Sequence, residues 1–481
     1  MFLCVAFFCC DLMRKNGGED MAKVAFFFGA GAEGKDNFEI STGFDFMKKS
    51  LFSKKYLDGY TDALNQYFKN NNYFDERYSY EKSLLDAKKF LLKNFIINKS
   101  CTHEKFFNDN KDEIAIILTN DEINSICKVL NIKSDDYKHI KDDEKKKDIY
   151  DEFCKCLTDK KYHYNDIEHK TLKKLFSNGK DGKIDYNLNI GLAGILDSYF
   201  HTINDPKKYG PVRFSKIFNY YWACYFIILE DILNYLISNG KNEFEIYLDD
   251  KSNGVNGKKK LNYSNVLENI DNLTKELYGI DIDSIIPENC YYKLIKERLD
   301  SNNSSNAIEC KGVITTNYFQ FCEHVSKNVI YLNGQLKWFE YPEVLEVEGF
   351  SEDKVKSGKL FFPFIFGQSF VKPIVNSKQT DEFYRFKKLL DEIDILVILG
   401  FNINEDDNHI NSFLHEYIKS GRQMIIVTNN GDFNTKEKLK IDIGEDCICL
   451  VDYNDGNENI VNAIFDKINE NIGGQIDENN N

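Results

Sequence analysis

The sequence lacks three features that would each define a class of protein: an excess of basic charge, an apolar run long enough to cross a membrane, and a Cys-x-x-Cys pair. Lys and Arg number 62 against 77 Asp and Glu, which gives a net charge of -15. Nucleic-acid-binding proteins normally present a basic face, so we expect no nucleic acid as a direct ligand. The strongest internal apolar stretch, Trp222 to Leu229, is too short for a bilayer, and we expect no membrane association.

The chain has 13 cysteines, but their spacing does not fit a zinc site. The cysteines closest in sequence are either adjacent or separated by one residue, whereas the knuckle of a zinc ribbon needs two residues between its thiols. Scattered thiols in an acidic chain are typical of a reducing cytoplasm, where they serve as small buried side chains. We therefore expect a cytoplasmic protein without a metal.

Composition divides the chain into zones. Residues 1–10 are apolar and have no basic start, and we interpret residues 1–20 as a non-native or disordered leader before a true start at Met21. Residues 48–310 are rich in Lys, Asp, Asn and Tyr with helical periodicity, which predicts a mostly helical insertion. Such an insertion is expected to contact other copies of the chain or a partner protein. A sheet domain then occupies residues 21–47 and 311–470, followed by a disordered tail at 471–481.

Strands and helices alternate in the last third of the chain. Apolar runs predict strands at 312–315, 329–332, 361–366, 393–399, 424–427 and 447–451, and periodicity predicts helices at 380–390, 407–419 and 457–470. The apolar run from Val24 to Phe28 fits a first buried strand of the same sheet. Alternation of this kind is typical of a parallel sheet with helices on both faces. The predicted fold class is α/β, a Rossmann-like doubly wound parallel sheet with a large, mostly helical insertion.

A glycine turn, Gly29-Ala30-Gly31-Ala32, follows the first strand. Glycines at this point let the backbone turn sharply and bring N–H groups close to phosphate oxygens. Gly29, Gly31 and Gly34 have the GxGxxG spacing, but the acidic residue expected about twenty positions later is not evident. Taken alone, the pattern fits a plain strand-to-helix turn as well as a phosphate site.

Polar residues or glycines also follow four of the later predicted strands. They are Thr316 and Asn317 after the first, Asn333 and Gly334 after the second, Gly367 after the third, and Gly400 to Asn402 after the fourth. The carboxyl ends of parallel strands meet at one edge of a sheet, where ligands bind in this architecture. Four successive ends of this kind predict a ligand site.

These motifs, in this order, resemble those of the sirtuin superfamily, in the form common in bacterial anti-phage defence proteins. Six segments carry the resemblance: Gly29 to Ala32 (the GAG loop), Thr42 to Phe46 (SGIPDF), Thr315 to Tyr318 (TQN or TTN), Pro363 to Gln368 (P-x-V-x-FGE), Ile398 to Phe401 (the GTS-type loop) and Ile425 to Asn429 (the adenosine-side strand). The resemblance covers residues 24–47 and 311–470.

The resemblance implies an NAD site. Asn317 would orient the attacking water or the ribose hydroxyls, Asp45 would hold the nicotinamide amide, and Gly29 and Gly31 would approach the pyrophosphate. The other implied cofactor contacts are Ala30, Ala32, Phe46, Thr316, Gly334, Gly367, Gly400, Phe401, Asn402 and Asn429. Because the transition state resembles an oxocarbenium ion, positioning and fixed dipoles would supply much of the catalysis. The products would be nicotinamide and ADP-ribose.

Two departures from the family bear on the activity. Asn333 stands where the family has its catalytic histidine, and an amide cannot act as a general base near neutral pH. No cysteine lies between Gly334 and Pro363, so the zinc ribbon of protein deacylases is missing, and deacylation or ADP-ribosyl transfer is disfavoured. We therefore expect an NAD+ hydrolase acting as an NAD-depleting defence effector. The alternative is a weak or inactive NAD- or ADP-ribose-binding sensor or assembly module.

A histidine elsewhere in the chain is a further candidate base. His409 follows the Gly400 loop, His201 lies in the helical zone that would roof the pocket, and His324 is expected to pack along the helix after Asn317. An ordinary core or surface histidine is the alternative for each. The candidate catalytic set is Asn317, Asn333 and His409.

Overall fold

A computed structural model describes residues 21–34, 37–41, 127, 146–149, 211–239, 263–302, 308–341, 344, 346–357, 361–365, 376–401, 403, 407–428, 447–452 and 456–477. The described strands are β1 (Ala22–Phe28), β2 (Ile308–Thr315), β3 (Val329–Tyr331), β4 (Gly334–Tyr341), β5 (Glu346–Glu348), β6 (Phe362–Ile365), β7 (Ile395–Leu399), β8 (Gln423–Thr428) and β9 (Ile448–Asp452). The described α-helices are α1 (Pro211–Ser238), α2 (Tyr263–Tyr278), α3 (Tyr291–Asn302), α4 (Glu352–Lys356), α5 (Ser377–Glu392), α6 (Asn408–Lys419) and α7 (Asn457–Asp477). Short 3-10 helices lie at Ala30–Glu33, Ile282–Ser284 and Gln320–His324.

Six of the described strands form one parallel sheet, in the order β3-β2-β1-β7-β8-β9. The chain builds outward from β1 in one direction through β2 and β3, and later in the other direction through β7 to β9. This is the Rossmann-type strand order, in which the order reverses between the two central strands. The predicted α/β fold with a doubly wound parallel sheet is therefore confirmed.

Strand β1 supplies both faces of the sheet with apolar side chains. Val24, Phe26 and Phe28 belong to one buried cluster, and Ala25 and Phe27 belong to another. Successive side chains of a strand point to opposite faces, so a continuous apolar run requires cover on both sides. Helices α1, α2, α3 and α7 contribute to the first cluster, and α5 and α6 contribute to the second.

The described end of the zone predicted as a helical insertion packs directly on the sheet. Helices α1 and α3 lie in this zone, and α3 places Tyr292 and Ile295 in the same cluster as Phe28. Strand β2 begins at Ile308, ahead of the predicted domain boundary at 311. The division of the chain into domains stays a prediction. None of the helices in the described ranges is long and apolar enough to cross a membrane.

A second, smaller sheet consists of β5, β4 and β6, and all of its pairings are antiparallel. The placement of segment 361–366 in the parallel sheet was therefore wrong, since Phe362 pairs with Glu340 on β4. An apolar run that is buried on both sides has the same pattern in either kind of sheet, so the sequence did not separate the two cases. Strands β4 and β5 were not predicted at all.

Aromatic side chains form the core of the small sheet. The ring of Phe361 lies 6.0 Å from Phe339, 5.7 Å from Phe350 and 6.1 Å from Tyr341, centroid to centroid. Phe339, Tyr341 and Phe361 are each no more than 1% exposed. Burial of several large rings strongly stabilises a protein, and the small sheet packs through these aromatic contacts.

Candidate functional site

The carboxyl ends of β1 and β7 meet at the point where the strand order reverses. Phe28 pairs with Leu399, so the residues that follow them, Gly29 and Gly400, are neighbours. A Cβ on Gly29 would lie 2.4 Å from the carbonyl oxygen of Gly400. Gly400 has φ +64, and a Cβ there would lie 2.2 Å from the backbone nitrogen of Ala32. Close approach requires glycine at both positions, and Gly400 also needs its left-handed conformation.

This contact uses the N–H groups of both turn glycines. The N–H of Gly29 donates to the carbonyl of Leu399, and the N–H of Gly31 donates to the carbonyl of Gly400, each at 2.8 Å. The expectation that these N–H groups face a phosphate is therefore wrong, because they join β1 to β7 instead. Ala30 is the exposed residue of the turn. Any phosphate contact of the turn is thus expected at Ala30.

Asn317 lies directly after β2 and is 4% exposed. Its Nδ2 donates to the carbonyl oxygen of Gly29 at 3.1 Å and to the hydroxyl of Tyr292 at 3.4 Å. Because the Gly29 carbonyl can only accept, this contact sets which side of the amide is nitrogen. Neither of these two bonds uses the amide oxygen, Oδ1. The amide is therefore held in one orientation by its nitrogen.

The end of β2 is tied to the end of β1. The backbone N–H of Thr316 and the hydroxyl of Thr315 both donate to the carbonyl oxygen of Phe28, each at 3.1 Å. The same hydroxyl accepts the backbone N–H of Asn317 at 3.0 Å. The side chains of Asn317 and Thr316 are both buried. These bonds hold Asn317 beside the glycine turn, whereas a ligand contact of Thr316 stays a prediction.

Glu33 belongs to the same site and was missed from the sequence. It ends the 3-10 helix after the glycine turn, is 4% exposed, and accepts a hydrogen bond of 2.9 Å from the Tyr292 hydroxyl. Burial raises the pKa of Glu33 to about 8, against smaller opposing effects of Tyr292 and Asn317. The available signal was an acidic residue inside a buried glycine turn. Its partner lies 259 residues away in the chain, beyond the reach of any local pattern.

Asn333 and Gln335 are buried amides on either side of Gly334. They are 5% and 2% exposed, and neither Asn333 Oδ1 nor Gln335 Oε1 has a hydrogen-bond partner within the described part of the chain. The N–H of Leu336 donates to the carbonyl of Tyr318 at 3.0 Å, which brings the start of β4 beside the Asn317 loop. Buried acceptors without partners are rare in folded proteins and call for a specific reason. A ligand with N–H or O–H donors would satisfy them.

Two predicted cofactor contacts have structural roles. Gly334 has φ +87, and a Cβ there would lie 1.9 Å from the carbonyl oxygen of Phe364, so it is required where β4 meets β6. The ring of Phe401 stacks on Phe27 at 4.6 Å, in the cluster covered by α5 and α6. The Phe401 side chain therefore packs on the core, and only its backbone remains for a ligand.

The candidate histidines differ in position. His409 is near the start of α6, and its ring lies edge-on to Phe383 at 5.7 Å, on the α5–α6 face of the sheet. His324 ends a 3-10 helix, and its Nδ1 lies 2.5 Å from Oδ1 of Asp283. This contact with Asp283 explains His324 without a catalytic role. His201 lies outside the described residues, and a catalytic role for His409 stays a prediction.

Five predicted cofactor contacts also lie outside the described residues: Asp45, Phe46, Gly367, Asn402 and Asn429. The chain can be followed to Ser41, whose N–H donates to a carboxylate oxygen of Asp231 on α1 at 2.9 Å. This bond ties the segment after the glycine turn to the helical layer. No cluster of three or more potential metal ligands occurs in the ranges that the structure describes.

No family model matches the chain, and no curated protein matches it. Among solved structures, one from a study of sirtuin substrate affinity is 16% identical, covering 36% of this chain and 68% of its own, with a TM-score of 0.25. A Sir2 homologue in complex with NAD is 13% identical, with coverage of 44% and 76% and a TM-score of 0.25. Sir2Tm bound to a propionylated peptide is 18% identical, with coverage of 43% and 80% and a TM-score of 0.26. The chain is partly similar to these sirtuin structures, and its α/β Rossmann-like fold is established by the strand order described above.

Proposed function

We propose that the chain is a sirtuin-like NAD+ hydrolase that acts at the carboxyl ends of β1, β2 and β7. The observation that carries the proposal is the buried Asn317 amide, which Gly29 and Tyr292 hold beside the glycine turn. Ligands of this architecture bind where the strand order reverses, and the Gly29–Gly400 contact lies at that point. The ordered motif set described above supports NAD as the ligand.

In the proposed reaction, the N-glycosidic bond breaks and its electron pair stays with the nicotinamide ring, which becomes neutral. Water adds its oxygen to the ribose carbon and releases a proton, so the second product is ADP-ribose. Asn317 Oδ1 accepts a hydrogen bond from that water or from a ribose hydroxyl. Orientation of this kind lowers the barrier without proton transfer to the protein. The neutral leaving group needs no acid, and the proton that the water releases passes to solvent water rather than to a protein base, so the reaction is compatible with asparagine at position 333.

We further propose that the reaction depletes NAD in a cell infected by phage, and that the zone 48–310 contacts other copies of the chain or a partner. The resemblance to anti-phage sirtuin-like proteins supports this role. Cells that express the wild type should lose NAD after infection and restrict the phage. Cells that express Asn317→Ala at the same level should do neither.

The alternative is a module that binds NAD or ADP-ribose without cleaving it. Asn333 favours it, because this buried amide replaces the base that the resemblance would require. Tight ADP-ribose binding by calorimetry together with no NAD turnover would select this alternative. Sustained turnover would remove it.

The proposed function is tested by incubating the purified full chain with NAD, alone and with candidate activators, and separating nicotinamide and ADP-ribose. We expect equal amounts of the two products from the wild type and none from Asn317→Ala. Asn328→Ala is the matched control, since this exposed asparagine precedes β3 at the opposite edge of the sheet. Absence of both products with folded wild type under every condition contradicts the proposed function.

A further inference from the structure

Glu33 is a buried acid at the end of the glycine turn. Its side chain is 4% exposed, and its Oε1 accepts a hydrogen bond of 2.9 Å from the Tyr292 hydroxyl. The proposed hydrolysis gives no role to this carboxyl. A buried ionisable group at a ligand edge requires an explanation of its own.

Tyr292 is held rigidly by its surroundings. It is fully buried on α3, and its ring lies 4.6 Å from Phe28 in an edge-to-face arrangement and 5.6 Å from Phe38. Aromatic contacts of this kind fix a ring in place. The hydroxyl is therefore presented at a defined point between Glu33 and Asn317.

The Tyr292 hydroxyl connects Glu33 to Asn317. It donates to Glu33 and accepts from Asn317 Nδ2 at 3.4 Å, while the same Nδ2 donates to the Gly29 carbonyl at 3.1 Å. Both amide hydrogens of Asn317 are thus used inside the protein. A chain of such bonds is cooperative, so loss of one member loosens the others.

Among the residues that the structure describes, the groups that face Glu33 carry no positive charge. They are Tyr292 from α3, Asn317 from the end of β2, and the Cys322 thiol from the 3-10 helix at Gln320–His324. Burial raises the pKa of the Cys322 thiol, so this neighbour also stays neutral. Burial raises the pKa of Glu33 to about 8. A charge at Glu33 would have to be desolvated without a cation among the described residues, which is strongly unfavourable.

We infer that Glu33 is a positioning residue that works as a neutral carboxylic acid: it holds Tyr292, and through Tyr292 it fixes the Asn317 amide for the ligand. The inference rests on the proposed function, because Asn317 is the residue that contacts the substrate there. Glu33 itself does not touch the reacting atoms. The hydroxyl of Tyr292 carries its effect.

A general base is the rival role for Glu33, and glutamine separates the two. Glutamine has the size of glutamate, accepts a hydrogen bond from Tyr292 and stays neutral at every pH, so it reproduces the neutral acid. A base must take up a proton, which glutamine cannot do. Alanine removes both functions. Tyr292→Phe keeps the ring packing and removes the hydroxyl, and with it the hydrogen bonds to Glu33 and Asn317.

The test measures kcat and KM for nicotinamide release by the wild type, Glu33→Ala, Glu33→Gln and Tyr292→Phe, below and above pH 8. We expect Glu33→Ala and Tyr292→Phe to lower kcat about tenfold, a typical loss for a misplaced catalytic group, with a smaller change in KM. Glu33→Gln should recover most of that loss. It should also remove the fall in kcat that the wild type shows as Glu33 ionises above about pH 8.

Glu392→Gln is the matched control, because this glutamate is 51% exposed on α5. It should keep the wild-type pH profile. If Glu33→Gln is as inactive as Glu33→Ala, Glu33 is a base and the inference is overturned. If all three variants keep the wild-type kcat, Glu33 has no role in positioning, which also overturns it.

Failure of the proposed function gives a different result. A wild type that binds ADP-ribose without cleaving NAD contradicts hydrolysis alone, and the same variants are then compared by calorimetry. Weaker ADP-ribose binding by Glu33→Ala that Glu33→Gln restores supports the inference in that case. Equal binding by all variants overturns it, as does a folded wild type that neither binds nor cleaves.

Discussion

The backbones of Gly29 and Gly400 are in direct contact, since a Cβ on Gly29 would lie 2.4 Å from the carbonyl oxygen of Gly400. The two glycines follow adjacent central strands that are far apart in the chain. Their contact joins the two halves of the sheet at the edge where the strand order reverses. The glycine turn is therefore first a packing device, and the site is built around it.

Gly400→Ala should be strongly destabilising, because its Cβ would lie 2.2 Å from the backbone nitrogen of Ala32. Gly421→Ala is the matched control. It also has a positive φ, +80, but nothing lies within 4 Å of its Cβ. We expect a cost of about 1 kcal/mol at Gly421, from the left-handed backbone alone, and several times that at Gly400. Equal losses in urea denaturation would contradict the packing role of Gly400.

Glu33 should make the stability of the wild type fall with rising pH. Its pKa is raised from 4.5 to about 8 in the folded chain, so the folded state retains a proton that the unfolded state loses between these values. The stabilising contribution is complete below pH 4.5 and is lost as the pH rises to about 8, by at most about 1.4 kcal/mol per pH unit. Glu33→Gln should remove this slope.

The predicted effect of Glu33 on stability is measured from the melting temperatures of the wild type and Glu33→Gln across this pH range. Other titrating groups contribute equally to the wild type and to Glu33→Gln, so the difference between the two proteins isolates Glu33. The exposed control Glu392→Gln should keep the wild-type slope. An identical pH dependence for the wild type and Glu33→Gln would show that Glu33 ionises freely in the folded chain.

Gln335→Leu should weaken ligand binding without loss of stability. Gln335 is 2% exposed and its Oε1 has no hydrogen-bond partner among the described residues, so an apolar side chain of similar size removes a buried unsatisfied acceptor. We expect an unchanged or higher melting temperature and an affinity for ADP-ribose lower by about tenfold. Calorimetry and melting curves measure both effects.

Gln320→Leu provides the contrast for Gln335. Gln320 is also buried, but its Nε2 donates to the carbonyl of Leu277 at 3.4 Å, so leucine there leaves a buried carbonyl without its donor. This variant should lose stability and keep its ligand affinity. The opposite pattern, with Gln335→Leu unstable and fully able to bind, would make Gln335 a structural residue.

The small antiparallel sheet should depend on its aromatic core rather than on a metal. Phe361 is 1% exposed, and Phe361→Ala should cost about 3–5 kcal/mol. Tyr384→Ala, at 69% exposure, should cost less than about 0.5 kcal/mol. A chelator should leave the melting temperature of the wild type unchanged. A large drop on chelation would reveal a metal that supports this sheet.

The parallel sheet was predictable from sequence because its strands are continuous apolar runs. Val24 to Phe28 and Ile395 to Leu399 have this pattern, and both occur as buried parallel strands. Segment Phe362–Ile365 has the same pattern but lies in the antiparallel sheet, since burial on both sides does not determine the direction of pairing. Strand β4 was missed because buried and partly buried residues are mixed along it without regular alternation.

The candidate site was predictable only where a motif is local. Asn317 and Gly29 were identified from strand ends, and the structure brings them into direct contact. Glu33 and Tyr292 form a pair across 259 residues, so neither signals the other in sequence. The N–H groups of the glycine turn bond to residues at the end of β7, which lie far away in the sequence. No local pattern contains these bonds, so from sequence the N–H groups were assigned to a ligand.

Nicotinamide release from NAD by the wild type and by Asn333→His, each with and without Asn317→Ala, tests the central claim most directly. We expect release by the wild type and faster release by Asn333→His, because histidine supplies a base beside the Asn317 loop. Asn317→Ala should abolish release in both. No release by either folded parent protein, or release that survives Asn317→Ala, would contradict NAD hydrolysis at this edge of the sheet.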